Sequence, residues 1–180
     1  MKKFEEKTYQ TETIYTGKIV QLDVDSVTLP DGHTSKRELI RHPGAVAVIA
    51  TTQEGKLVLV EQYRKAMEKS IVEIPAGKLE PGEEPKACAM RELEEETGYT
   101  TEDLELVTSF YTSPGFADEL VYVYFTDHIK PMDIQPDGDE DEFVEVMELT
   151  LDEAVQLEKD HRIHDAKTAY ALLYLQLKQK

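Results

Sequence analysis

Gly77-Lys-Leu-Glu-Pro-Gly-Glu83-Glu-Pro85-Lys-Ala-Cys88-Ala-Met-Arg91-Glu92-Leu93-Glu94-Glu95-Glu96-Thr-Gly98-Tyr99 decides the fold. It reads as a glycine-started loop, a helix crowded with carboxylates, and a glycine stop. Pro85 suits the first helical turn, where a missing N–H costs nothing. Ala87, Cys88, Ala89, Met90 and Leu93 supply helix formers and an apolar side. Gly98 stands where a left-handed C-cap residue belongs. Residues three and four apart share a helix face, so Glu92, Glu95 and Glu96 project together. Three like charges repel unless a cation sits among them or water screens them. An all-oxygen donor set suits a hard cation such as Mg²⁺, which typically shares its shell with substrate phosphates.

Outward from that stretch, the chain reads as an α/β protein. Residues 9 to 42 form a small antiparallel β module. In it Val20, Leu22 and Val24 alternate with Gln21 and Asp23, the period of a half-buried strand, and Pro30-Asp31-Gly32 is a turn. The module ends at His42-Pro43-Gly44, and alone it is too small to be stable without a surface to cover. The continuous apolar run Gly44 to Ala50 predicts a central strand. Further strands are expected at Leu57 to Arg64, Ser70 to Ile74, Leu104 to Tyr111, Leu120 to Phe125 and Phe143 to Val146. Thr150-Leu-Asp-Glu153 has the form of a capping box opening a helix that ends near Asp160. A last helix covers about Asp165 to Leu177.

The 180 residues suit one domain with a modest extra module. A net charge of −17 repels nucleic acid, so an anionic small substrate needs local cations, metal or arginine. The single cysteine, Cys88, excludes an internal disulfide and suits a reducing compartment. It lies among alanines, where packing is its expected role. No apolar run is long enough to cross a bilayer and no leader is read at the N-terminus, so a cytoplasmic, membrane-free protein is expected.

The register Gly77, five residues, Glu83, seven residues, Arg91-Glu92-Leu93, one residue, Glu95-Glu96, one residue, Gly98 resembles the Nudix box at every fixed position. Tyr99 fills a slot usually held by an aliphatic residue. The resemblance covers nearly the whole chain. It implies an α/β/α sandwich with a mixed sheet over residues 43–180, preceded by the β module of residues 1–42. It also implies metal-dependent hydrolysis of a nucleoside diphosphate linked to another group. Glu92 and Glu96 are then principal metal ligands. Glu95 is a further ligand or a group behind them, and the Ala76 carbonyl adds another donor. Two or three Mg²⁺ ions, replaceable by Mn²⁺, are expected. Arg91 is expected to pair with Glu83, a stiff arginine–carboxylate fork that holds loop and helix in register, with Gly77 and Gly98 as structural glycines.

Similar enzymes place a general base and another metal ligand on a loop entering the strand at Phe143. The acidic loop maps the base to Glu140 and the ligand to Glu142, and the exchanged assignment remains open. Relatives acting on ADP-ribose carry a proline about sixteen positions past the last box glycine, the place of Pro114 in Ser113-Pro114-Gly115-Phe116-Ala117-Asp118-Glu119. Arg64 resembles an arginine that contacts the diphosphate. Arg37, Glu38 and Arg41 resemble residues that hold adenine and its phosphate, and Ile19 would form part of the adenine shelf. In similar enzymes the N-terminal module exchanges between subunits, which implies a homodimer. The resemblance thus implies an ADP-ribose pyrophosphatase. The alternatives are the same chemistry on another nucleotide sugar, NADH or a damaged nucleoside triphosphate, and a non-catalytic ADP-ribose sensor. A sensor tends to lose box carboxylates and to carry a DNA-binding appendage, whereas this chain keeps the box and has no basic appendage. A calcium-binding loop of alternating Asp/Asn with a central glycine is missing from the sequence.

Overall fold

The computed structural model describes residues 3–136, 138 and 143–178. The chain divides into two compact units. One comprises residues 1–44 and 110–121, the other residues 45–109 and 122–180.

The first unit is built on three strands, β1 (Lys7–Thr16), β2 (Gln21–Thr28) and β3 (Thr34–Arg41), hydrogen-bonded antiparallel in that order. The β2–β3 hairpin turns at Pro30-Asp31-Gly32. There Gly32 takes φ 89°, a left-handed value that glycine adopts without penalty. The alternation in β2 is read correctly from the sequence but with inverted phase. Asp23, Asp25 and Val27 are the buried positions, while Leu22 and Val24 are only half-buried. The physical reason is the threonine-rich β1. Thr13 Oγ1 donates to Asp23 at 2.8 Å, and Thr8 and Thr11 donate to Asp25 at 3.0 and 2.6 Å. Gln21 Nε2 and Arg41 Nε also donate to Asp23. Partnered in this way, a carboxylate can leave water at acceptable cost, and the hydrogen bonds, led by Thr13, lower the pKa of Asp23.

The second unit begins with β4 (Ala45–Ala50), β5 (Leu57–Arg64), β6 (Lys69–Glu73) and β7 (Ala76–Lys78). Helix α1 (Pro85–Thr97) follows, then β8 (Tyr99–Thr100). Strands β9 (Glu105–Tyr111) and β10 (Leu120–Thr126) start and end in this unit, and their far ends belong to the first. Then come β11 (Lys130–Pro131), β12 (Val144–Leu149), α2 (Leu151–Lys159) and α3 (Ala166–Lys178). Among the described residues the strands form the sheets β7-β4-β10-β9, β12-β5-β6 and β11-β8. The short β7, β8 and β11 are additions to the elements expected from sequence.

Alternation along the strands sends successive side chains to opposite faces. Val46, Val48 and Ala50 of β4 and Tyr124 of β10 join Cys88, Ala89 and Leu93 of α1 in one buried cluster. The next residue of β10, Phe125, meets Tyr174 of α3, with ring centroids 5.6 Å apart. Helices α1 and α3 therefore cover opposite faces, the two outer layers of the α/β architecture that the sequence implies. Cys88 is fully buried and burial pushes its thiol pKa up to about 12, so packing is its role. Among the described residues no helix is long and apolar enough to cross a membrane.

Helix ends follow the sequence signals. Pro85 lies in the first turn of α1, and Gly98 closes it at φ 70° with its N–H on the Glu94 carbonyl. At α2 the Thr150 side chain accepts from the Glu153 N–H, and Glu153 accepts from the Thr150 N–H at 2.8 Å. Replacing Thr150 with Ala removes one half of this reciprocal cap. Urea unfolding is expected to show a loss of about 1 kcal/mol, the usual worth of an N-cap, with unchanged turnover.

Candidate active site

Helix α1 buries an unusual stripe. Its buried residues are Cys88, Ala89, Glu92, Leu93, Glu96 and Thr97, so the apolar side grades into two carboxylates. Isolated buried carboxylates would be severely penalised. Here the opposing surface is backbone. Strand β7 pairs antiparallel with β4 and runs past the helix. The Ala76 N–H donates to Glu96 Oε2 at 2.9 Å. At Gly77 a Cβ would lie 1.8 Å from the Glu92 carboxyl carbon. Glycine is required there because the carboxylate occupies the volume of a side chain.

Arg91 organises the outer edge. Its Nε and Nη2 fork Glu83 at 3.0 and 3.2 Å, tying the loop to the helix. Its Nη1 lies 2.9 Å from both Glu92 Oε1 and Glu95 Oε2. The pairing with Glu92 and Glu95 has no counterpart in the sequence reading, which gave Arg91 only Glu83. Hydrogen bonding to Arg91 holds Glu83 at about 2, well below the ordinary 4.5. Tyr99, the unusual residue in the box, packs against the core cluster and donates its hydroxyl to Glu148, which raises its pKa to about 12.

Among the described residues no three His, Cys, Asp or Glu side chains converge closely enough to enclose a metal ion. Glu92 and Glu95 instead meet the Arg91 guanidinium, and Glu96 meets the Ala76 N–H. The donor set still fits a hard divalent cation: three carboxylates on one helical face, beside a backbone cleared of side chain at Gly77. Glu140 and Glu142 lie outside the described residues.

Arg64, at the end of β5, turns its Nε and Nη2 onto Glu73 at 2.6 and 2.8 Å. Glu73 is 1% exposed and also receives Lys167 of α3. Neither Glu73 nor Lys167 was expected from sequence. The available signal was a lone carboxylate inside the apolar run Ile71-Val72-Glu73-Ile74.

The remaining candidates lie in the first unit. Ile40 N–H donates to the Phe116 carbonyl at 2.7 Å, and Asp118 N–H donates to the Ile40 carbonyl at 3.2 Å. The segment carrying Ser113, Pro114, Gly115 and Glu119 is thereby stitched to the end of β3. Arg41 pairs with Asp118 at 3.1 Å, and His42 Nε2 lies 3.8 Å from Glu119. Arg41 and Arg37 share one face of β3, with Arg37 forked on Glu6. Glu38 points to the other face, as alternation demands. Ile19 is 48% exposed in the β1–β2 hairpin.

The NUDIX domain matches residues 41–172, and the chain belongs to the Nudix family. It is an enzyme that hydrolyses a phosphorus anhydride. It is 57% identical over 179 residues to the ADP-ribose pyrophosphatase of Bacillus subtilis (strain 168), covering 99% of this chain and 97% of that protein. It is also 60% identical over 178 residues to the methanol dehydrogenase activator of Bacillus methanolicus, covering 99% and 96% respectively. A solved structure described as an ADP compounds hydrolase superposes with a TM-score of 0.83 over 96% of this chain and 92% of that chain. At 21% identity it bears on the fold alone.

Two outcomes follow from this geometry. In Gly77→Ala the new methyl displaces a flexible carboxylate rather than backbone, so the fold survives. Turnover is expected to drop about a hundredfold, the scale of a 1 Å misplacement, with an unchanged circular dichroism spectrum. The second concerns acid stability. Because the folded pKa of Glu83 is depressed, its contribution is fully present above 4.5 and is lost as pH falls through about 2. Unfolding measured across that window should show a flatter acid limb in Glu83→Gln than in the parent protein.

Proposed function

We propose that this protein hydrolyses the pyrophosphate bond of ADP-ribose, giving AMP and ribose 5-phosphate, with Mg²⁺ as the metal. The observation that carries this reading is the Glu92–Gly77 and Glu96–Ala76 contact, which sets box carboxylates against bare backbone. The 57% identical relative named ADP-ribose pyrophosphatase supports the choice of substrate.

Glu92 and Glu96 would hold the cations, with Glu95, the Ala76 carbonyl and Glu142 as further donors. When bound, two or three such ions offset the diphosphate charge and lower the pKa of water. Glu140, or Glu142 if the two roles are exchanged, takes the proton from the attacking water. One phosphorus gains that oxygen as the bridging P–O bond breaks, and the other phosphate leaves. Arg64 binds the diphosphate, while Arg91 and Glu83 keep loop and helix in register. Ser113, Pro114, Gly115 and Glu119, with Arg37, Glu38, Arg41 and Ile19, form the adenosine and ribose contacts.

A homodimer with an exchanged N-terminal module, residues 1–42 against a hydrolase domain of residues 43–180, agrees with the uncovered state of that module. All ten residues of β1 are exposed, Tyr9, Ile14 and Tyr15 among them. The half-buried Leu22 and Val24 add apolar surface that a second copy would cover. The name of the Bacillus methanolicus relative favours a second reading, in which the same hydrolysis acts on a partner dehydrogenase.

Kinetics on a panel of nucleotide sugars with Mg²⁺ tests both. ADP-ribose is expected to give the highest kcat/KM. Glu96→Gln is expected to abolish turnover while leaving the unfolding midpoint intact, and comparable rates in that variant would end the metal assignment. A panel led by a different nucleotide would replace the substrate. A methanol dehydrogenase stimulated by the parent protein but not by Glu96→Gln would establish the second reading.

A further inference from the structure

A charge cluster adjoins the box without belonging to it. Glu73 ends β6, Arg64 ends β5, and Asp165 and Lys167 open α3. Two carboxylates face two cations, so the group is neutral as a whole. Lys167 bridges both carboxylates, reaching Asp165 Oδ1 at 2.8 Å. Asp165 accepts the Thr168 N–H at 3.2 Å, and Thr168 Oγ1 in turn accepts the Ile74 N–H at 3.0 Å. The backbone next to Glu73 is thus locked to α3, and Ala76 and Gly77 follow directly along the chain.

The register shows what Glu73 does to Arg64. Across the β5–β6 pair Arg64 stands opposite Lys69, and Glu73 stands opposite Val60. Arg64 could extend past the strand end into water. Instead its guanidinium turns back along the sheet to meet the Glu73 side chain, whose backbone lies four residue pairs away. Of the five N–H donors of an arginine, this fork uses one on Nε and one on Nη2. The other three lie outside that fork. The Arg64 side chain is 39% exposed, against 2% for Glu73 and 15% for Lys167. An ion pair that served only to staple β6 to α3 is complete with Lys167 alone. Glu96 is near enough for its charge to act on Arg64.

We infer that Glu73 is a positioning residue that holds the Arg64 guanidinium with its remaining donors presented to the substrate diphosphate. The inference rests on the reading that Arg64 binds the diphosphate. Arginine is suited to the task because its planar fork lets one edge be gripped while the other binds. A lysine at the same place would offer no second edge.

Steady-state kinetics on ADP-ribose with Arg64→Ala, Glu73→Gln and their double variant test the idea. Nε–H solvent exchange of Arg64, followed by NMR, gives a readout independent of activity. Glu73→Gln is expected to raise KM about tenfold, the worth of one charged hydrogen bond, with kcat changed much less. It should also speed Nε–H exchange and add nothing in the Arg64→Ala background. Lys167→Met, which spares the Arg64 fork, should lower the unfolding midpoint with KM unchanged. If Glu73→Gln leaves Lys167 buried and unpaired and so fails to fold, Glu73→Gln/Lys167→Met removes both charges and carries the same expectation. A raised KM in Arg64→Ala with an unchanged KM in the Glu73 variants would overturn the positioning role and spare the functional reading. An unchanged KM in Arg64→Ala would overturn both.

Discussion

Carboxylates laid against bare backbone are the constraint on which the rest of this structure depends. Glu92 fills the space a side chain would take at Gly77, and Glu96 takes the N–H of Ala76. Charged groups can stay buried only if every partner is supplied, and the neighbouring elements serve that end. Strand β4 supplies β7 with an edge to pair on, and Cys88, Ala89 and Leu93 seat the helix at the right height on the sheet. Arg91 balances the outward edge through Glu83, Glu92 and Glu95. The apolar cluster and the anionic face are two halves of one helical stripe, so neither can be repacked without moving the other.

A different solution to buried charge appears in the β1-β2-β3 unit. Asp23 and Asp25 are enclosed by threonine hydroxyls, Gln21 and Arg41 rather than by a single strong countercharge. Such a face is specific in register, because a one-residue slip would strand both aspartates on the wrong side. It contributes little apolar burial, which leaves Leu22 and Val24 half-covered and β1 wholly exposed.

What could be read from the sequence followed the range of the interaction. Pro85, Gly98 and the Thr150–Glu153 pair mark helix ends because their physics is complete within a few residues. Arg91 and Glu83 were legible through their spacing on loop and helix. The two- and three-residue strands β7, β8 and β11 are too short for any period to register. Hydropathy alone assigns aspartate to water and so inverts the phase of β2, and only the threonines of β1, paired across the hairpin, reverse that choice. Glu73 stands out as a lone carboxylate in an apolar run, but its partner is hidden by distance: Lys167 lies 94 residues further along the chain. The first-unit contacts of Arg41 with Asp118 likewise join segments 77 residues apart.

The thiol at Cys88 has a practical side. Burial pushes its pKa up to about 12, so the reactive thiolate is scarce at neutral pH, and the sulfur is fully buried besides. A cysteine introduced on the surface would take a fluorophore or spin label by itself, so site-specific labelling needs no cysteine-free background.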